Sequence, residues 1–328
     1  MSQAAPQSSV PPARLASGLA ALAGAVLLLG IGWPVSRFAV MGGAAPLWLA
    51  CGRTALSALA TAAVLIALGR LRPPGRADLP AVMMLGLLQI AAYFTLSYAA
   101  LAWIPAGRTA LFSNATTLWV VPLSLVVLKE AIPPVRWLAV AVSLAGLVVM
   151  AGPWGTDWSS PPALVGTAFL LGAALVWAIA IVVIRRSPPQ RPVLDLMPWC
   201  FGLASLAMLP FAMLQPVGHW DGTNLAVLAA LGLLAGPLGV WCTMQVQIRL
   251  PAVVASIGLM MGPVVGIALS AFCLSEPLTP DLIVGALLIV GGAVVAAAGD
   301  RLTRSRAAPG AAGSARKAMT SRNSTGKH

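Results

Sequence analysis

One segment of the chain occurs twice, and this repeat limits the fold more than any other feature. The first copy begins at Leu85-Gly86-Leu87-Leu88, passes Pro105-Ala106, Glu130 and Pro134, and ends at Gly146-Leu147-Val148-Val149. The second begins at Leu231-Gly232-Leu233-Leu234, passes Pro251-Ala252, Glu276 and Pro280, and ends at Gly292-Ala293-Val294-Val295. Every pair is offset by 146 residues, with no gap. Matches of Ala, Leu and Val carry little weight in so apolar a chain. Paired Pro, Glu and Gly at one offset carry more. The chain reads as a duplicated unit. Each copy contains long apolar runs, so this is a membrane protein built from two halves.

Composition supports the bilayer as solvent. Charged residues are 9% of 328 and hydrophobic ones 59%, with mean hydropathy +0.91. A soluble domain carries about 25% charged residues, so too little charge is present to cover a water-facing surface. The net charge of +12 raises the question of nucleic acid. The basic residues lie between apolar runs and in the C-terminal tail, a membrane-topology pattern, and no nucleic-acid partner is expected. Cys51, Cys200, Cys242 and Cys273 all fall inside apolar runs without metal-ligand spacing. They read as reduced small hydrophobes, and no metal or cofactor is expected.

A span needs about 20 apolar residues. Ten runs qualify: 17–38, 45–68, 79–101, 105–128, 134–151, 163–184, 194–214, 224–246, 251–274 and 281–299. The first is too long for the apolar core of a cleavable signal and reads as a span. With the N-terminus placed in the cytosol, 17 of the 20 Lys and Arg fall in cytosolic segments and none in outer loops. The other three, Arg37, Arg53 and Arg108, lie within or at the ends of spans. Removing any one span scrambles this alternation. The expected organisation is a cytosolic tail (1–16), a five-helix repeat (17–151), an outer linker (152–162), a second five-helix repeat (163–299) and a basic disordered cytosolic tail (300–328). Five is odd, so the second half enters from the opposite side. The fold class is all-α membrane protein, ten transmembrane helices as two inverted five-helix repeats, an architecture that serves alternating access.

The pattern Glu130-x15-Gly146, with its echo Ser275-Glu276-Pro277-Leu278-Thr279 … Gly292, resembles the EamA repeat. Gly32-Trp33-Pro34-Val35-Ser36-Arg37 near the end of the first run, and Arg53 within the second, resemble it too. EamA repeats occur in pairs in the drug/metabolite transporter superfamily, whose members export amino acids, other metabolites or toxic compounds. The resemblance covers roughly 17–299. It implies ten helices, cytosolic termini, a central cavity and alternating access in the cytoplasmic membrane. The implied partners are a small-molecule substrate and membrane lipid, with homodimerisation left open.

Polar residues inside spans mark candidate sites, because each must find a partner. Arg53 stands eight residues into its run, some 12 Å deep at ~1.5 Å rise per residue. An Arg at mid-span costs on the order of 3 kcal/mol. It faces the cavity and binds a substrate carboxylate or another anion through its planar fork, or it caps carbonyls of a broken helix or snorkels to the outer interface. Arg37 follows Trp33 and Pro34, and Pro34 kinks the first span. These two join the candidate list with Arg53, the alternative for Arg37 being an interfacial anchor, as it is for Arg108. The third run carries Gln89, Tyr93 and Ser97 on one helical face, the fourth Asn114 and Thr117, and the eighth Trp241, Thr243 and Gln245. Tyr93, Asn114 and Trp241 are expected to line the cavity beside Arg53, against the alternative of hydrogen bonds between helices. Glu130 and Glu276 read as helix-end structure.

No Asp or Glu lies well inside a run, which argues against a proton-coupled exporter of lipophilic cations. Enzymatic chemistry is poorly supported, because the only histidines are His219 in an outer loop and His328 at the terminus, and no HExxH occurs. A channel leaves the inverted repeat unexplained. The leading expectation is a secondary transporter exporting amino acids or related organic compounds. An exporter of toxic or drug-like compounds is the runner-up.

Overall fold

The computed structural model describes residues 12–112, 115–129, 134–150, 160–250, 252–259, 261–292 and 294–295. Asn114, Ser113, Glu130 and both tails lie outside these residues. The described residues are helical, apart from short connections and one isolated β-bridge between Ala44 and Gly218.

The helices in order are α1 (Pro12–Met41), α2 (Pro46–Ala67), α3 (Leu79–Leu101), α4 (Ala106–Phe112), α5 (Thr116–Leu123), α6 (Pro134–Met150), α7 (Pro161–Arg186), α8 (Val193–Met213), α9 (Gly222–Arg249), α10 (Ala252–Leu259), α11 (Met261–Leu274) and α12 (Pro280–Gly292). Six are long and apolar enough to cross a bilayer: α1, α2, α3, α7, α8 and α9. Shorter apolar helices, Leu118–Leu128, Trp137–Val149, Met261–Leu274 and Pro280–Gly292, fall in the other four expected runs. The run 105–128 is described in two pieces, α4 and α5, on either side of 113–114, and neither piece reaches a full span.

Helix starts follow sequence rules. Pro46 and Pro161 open α2 and α7, where a missing N–H has no intrahelical partner to lose. Asp221 caps α9, its carboxylate accepting from the Asn224 amide at 2.7 Å.

The sequence repeat recurs in the backbone. Residues Met84–Ala92 within α3 and Ala230–Ala235 within α9 both wind with i→i+5 hydrogen bonds, and both stretches start at the repeated Leu-Gly-Leu-Leu segment or one residue before it. Such widened turns re-aim side chains and often lie at functional sites. The repeated glycines also pack reciprocally. A Cβ on Gly86 would stand 3.1 Å from the Cys200 carbonyl oxygen in α8, and one on Gly232 would stand 3.0 Å from the Arg53 carbonyl oxygen in α2. Leu203, also at 3.1 Å, and Leu56, at 2.5 Å, are the side-chain neighbours of these two glycines. Arg53 and Cys200 thus hold equivalent places in the two halves, as do Leu56 and Leu203.

Counterpart helices run in opposite directions. Trp48, in the first turn of α2, donates to the Gln215 carbonyl just beyond α8 at 3.4 Å, and Arg70, beyond α2, pairs with Asp195 in the first turn of α8 at 2.9 Å. Gly146 of α6 meets Gly285 and Ile289 of α12, while Gly292 meets Ala139 and Ser143. Residue numbers that rise on one helix as they fall on the other describe antiparallel packing. The largest buried apolar cluster joins α2, α3 and α8 through Leu49, Tyr98, Leu101, Leu196, Phe201 and Met208.

Candidate functional site

Arg53 projects from α2 into the space between the halves. Its Nη1 donates to the Tyr98 hydroxyl at 2.6 Å, and its guanidinium lies over the Phe94 ring, 4.7 Å from the centroid. Tyr98 is fully buried and shares a hydrogen bond with Ser36 Oγ at 2.7 Å. Ser36 donates its own proton to the Gly32 carbonyl at 2.6 Å. The Ser36 proton is therefore committed, so Tyr98 donates to Ser36 and accepts from Arg53. The chain runs from α2 through α3 to α1 and fixes the arginine's aim. No carboxylate among the described residues pairs with Arg53.

An aromatic cluster backs this network. Trp33 lies 5.9 Å from Tyr98 and 6.3 Å from Tyr93, and Tyr93 meets Trp177 of α7 edge-on at 4.5 Å. Phe94 sits edge-on to Tyr98 at 5.9 Å. Buried tilted and edge-to-face pairs of this kind are worth about 0.5–1.5 kcal/mol each beyond area burial.

In front of Arg53 is a cavity of about 450 Å³. Its walls are Arg53, Thr54 and Ser57 of α2; Leu85, Gln89, Ile90 and Phe94 of α3; Trp177 of α7; Val193, Met197 and Phe201 of α8; Leu29 of α1; and the stripe Gly236, Val240, Thr243, Met244 and Gln247 of α9. Arg53 is the one charged residue among the lining residues. Thr54, Ser57 and Thr243 donate to the carbonyls of Cys51, Gly232 and Gly239 at 2.8 Å each. These hydroxyls keep acceptor capacity only. Gln89 and Gln247 contribute amides. A groove of about 770 Å³ lies near the α1–α2 connection, lined by Val40, Leu47, Trp103, Phe169, Phe211 and neighbours. It is larger but holds no charged residue, so the smaller cavity is the chemically equipped one.

The structure distributes the expected site residues unevenly. Arg53 is on the cavity wall. Tyr93 is buried behind it, packed on the wall residues Phe94 and Trp177. Trp33 packs on Tyr93 and Tyr98 and supports the same wall. Arg37 points away from the cavity lining, with Nη1 donating to the Leu101 carbonyl at the end of α3. Trp241 stands outside the group, 44% exposed. The cavity stripe of α9 falls at 235, 236, 239, 240, 243, 244 and 247, the i, i+4, i+8 spacing of one face, and 241 lies about 100° around the helix from 240. Asn114 is outside the described residues. Trp177, Phe94 and Phe201 are wall residues that sequence reasoning did not select. The one available signal was Trp177 itself, a tryptophan deep in a run and not at its interface end.

The two ends of the molecule differ. At the end carrying the α1–α2 and α11–α12 connections, Arg108 pairs with the buried Asp281 at 2.9 Å. The Glu276 carboxylate accepts from the Ala106 and Gly107 amides, at 2.9 and 3.1 Å, at the start of α4. These contacts tie one half to the other. At the opposite end, Asp78 accepts from the Gln190 amide at 2.8 Å and Arg70 pairs with Asp195, while the cavity wall reaches the helix-end residues Val193 and Gln247, the latter exposed. Among the described residues, no group of three or more His, Cys, Asp and Glu could hold a metal ion.

Comparison with known proteins agrees with this architecture. The sequence pattern of the EamA-like transporter family matches residues 16–152 and again 164–298. An uncharacterized transporter of Clostridium kluyveri is 24% identical over 227 residues, covering 66% of this chain and 72% of that protein. A crystal structure of a protein aligns with 86% of this chain and 98% of its own, with TM-score 0.60 and 21% identity, a likeness of fold alone. Matched on both halves by one family pattern, the chain belongs to the EamA-like transporter family and is a multi-pass membrane permease.

Proposed function

We propose that this permease is a secondary transporter that exports amino acids or related organic compounds across the cytoplasmic membrane, with both termini cytosolic. Ten helices form two inverted five-helix repeats, 17–151 and 163–299, and the repeats rock about the central cavity in alternating access. The observation that carries this reading is the antiparallel packing of counterpart helices, α2 on α8 and α6 on α12, around a cavity whose one charged wall residue is Arg53. Inverted halves can exchange conformations and so move the opening from one face to the other. Arg53 and its aromatic backing form the substrate site, with Tyr93 and Trp33 positioning it. Asn114, Arg37 and Trp241 are assigned to the transport path on the sequence reading alone.

The orientation read from the basic loops gives the cavity a side. It places Val193 and Gln247 at the cytosolic end, so the cavity is accessible from the cytosol. The Arg108–Asp281 and Glu276 contacts then close the outer end. The structure corresponds on this reading to the state that loads cargo inside.

Counterflow in proteoliposomes tests the proposal. Proteoliposomes holding the protein and loaded with an unlabelled metabolite should accumulate the labelled compound transiently and saturably, and Arg53→Ala should lower this by about 100-fold. Flux that never saturates would indicate a pore and overturn alternating access.

A further inference from the structure

The chemistry of the cavity narrows its cargo further than a carboxylate-binding arginine does. We infer that the site selects monocarboxylates with an aromatic or branched apolar body and no free ammonium group, such as aryl-alkyl acids or N-acylated amino acids, over zwitterionic amino acids. This inference rests on the assignment of the cavity as the substrate site, and within the proposed cargo it puts the related organic acids ahead of the free amino acids.

Three observations carry it. First, Arg53 is the one charged lining residue, and no carboxylate among the described residues neutralises it. Its only described acceptor is the Tyr98 hydroxyl at 2.6 Å, which leaves guanidinium donors for an anion. A partly buried arginine without a counter-ion favours a ligand that brings one. Second, no Asp or Glu among the described residues lines the wall, so an ammonium would find neutral acceptors there, among them Gln89 and Gln247. An α-ammonium rides beside its carboxylate, within roughly 6 Å of the guanidinium that binds it, where like charges repel in a partly dehydrated site. Third, Phe94, Trp177 and Phe201 give the wall aromatic faces among Leu85, Ile90, Met197 and Met244, and the cavity of about 450 Å³ is sized for one small organic acid.

The expected discrimination is at least tenfold. The test is competition for counterflow in proteoliposomes, with 3-phenylpropionate, N-acetylphenylalanine, phenylalanine and phenethylamine as competitors. The two acids without an ammonium should compete at least tenfold better than phenylalanine, and phenethylamine should not compete. Gln89→Glu should move the preference toward phenylalanine by placing a carboxylate on the wall. That gain is readable even where Arg53→Ala fails to fold. If phenylalanine competes as well as its N-acetyl derivative, the inference is overturned while the transporter reading stands. If Gln89→Glu leaves the ranking unchanged in a folded, active protein, the inference also falls. If neutral or cationic compounds alone drive saturable counterflow, the anion site is wrong although the protein transports. If no compound class gives counterflow, the transporter reading itself fails, and the inference with it.

Discussion

Helices α2 and α8 occupy equivalent places in the two halves, yet one carries Arg53 where the other carries Cys200. The glycines that meet them, Gly232 and Gly86, come from the repeated segment and make the same close approach. Backbone geometry was kept in both copies while side-chain chemistry diverged. The lesson is that duplication supplies two copies of one scaffold, which in the proposed cycle exchange conformations, and a single asymmetric substitution can give the cavity between them a charge. A charge in both copies would put two guanidiniums near one small cavity, where their repulsion would need two anions to relieve it.

The sharpest way to break this comparison is to remove each member in turn. Arg53→Ala should lower transport by about 100-fold, since a charge-assisted contact to cargo is worth about 1.5–3 kcal/mol, and the lost Tyr98 contact misaligns the wall as well. Cys200→Ala should leave transport within about twofold, because Cys200 is a buried small side chain away from the lining. Initial counterflow rates, normalised to folded protein, decide it. If Cys200→Ala matches Arg53→Ala, the two positions act as packing and the asymmetry means nothing.

The two ends of the molecule give the next comparison. Arg108 and Asp281 retain 14% and 3% side-chain exposure, so their ion pair is shielded from water. Arg108→Ala leaves a buried carboxylate unpaired and should cost about 3 kcal/mol of stability, at the low end for a broken buried pair. Detergent thermal melts measure this. Glu276→Gln is milder. It keeps an acceptor for one of the Ala106 and Gly107 amides but loses the charge that favours both, and about 1 kcal/mol is expected. In the proposed cycle both changes loosen the outer end. They should therefore raise the labelling of an outer-cavity cysteine by a water-soluble thiol reagent.

Much of this was legible in the sequence, for identifiable reasons. The repeat announced itself through Pro, Glu and Gly, which are rare enough or conformationally specific enough to mark an offset. The same segments reappear as the paired widened turns at 84–92 and 230–235 and the paired glycine contacts. Arg53 was visible because a charge deep in an apolar run needs a reason. Trp241 shows where reading stops. Its neighbours Thr243 and Gln247 reach the cavity, but which face of α9 turns inward depends on packing against α1 and α2, and one residue of offset turns a side chain by about 100°. Trp177 and Phe201 were hidden for the converse reason, since an apolar wall residue looks like any other in a hydrophobic run. Arg37 was selected for its nearness to Pro34, and the carbonyl it reaches, that of Leu101, belongs to another helix, which no local pattern predicts.

The glycine contacts sharpen the comparison of halves by degree. A methyl on Gly232 would come within 2.5 Å of the Leu56 Cβ, whereas on Gly86 its nearest neighbours stand at 3.1 Å. Gly232→Ala therefore forces α2 and α9 apart and should cost about 1–3 kcal/mol, and Gly86→Ala less than about 1 kcal/mol. Equal melting-temperature losses would mean that the two interfaces relax alike and that the near-symmetry is closer than the contacts imply.

The smallest effect is expected at the pair Arg70–Asp195, at the end where the cavity wall reaches Val193 and Gln247. It has the same 2.9 Å separation as Arg108–Asp281, but Arg70 keeps 49% of its side-chain exposure and Asp195 17%. Water and salt screen such a pair, and exposed ion pairs are worth about 0–1 kcal/mol. Arg70→Ala should shift the melting temperature by less than a third of the Arg108→Ala shift, and that small shift should fade as salt is raised. The Arg108 effect should persist in high salt, because shielding of Asp281 keeps counterions out. If the two variants respond alike to salt, the Arg108–Asp281 end is as wet as the Arg70–Asp195 end. The two ends would then not differ in closure, and the reading of this structure as open to the cytosol would lose its electrostatic support.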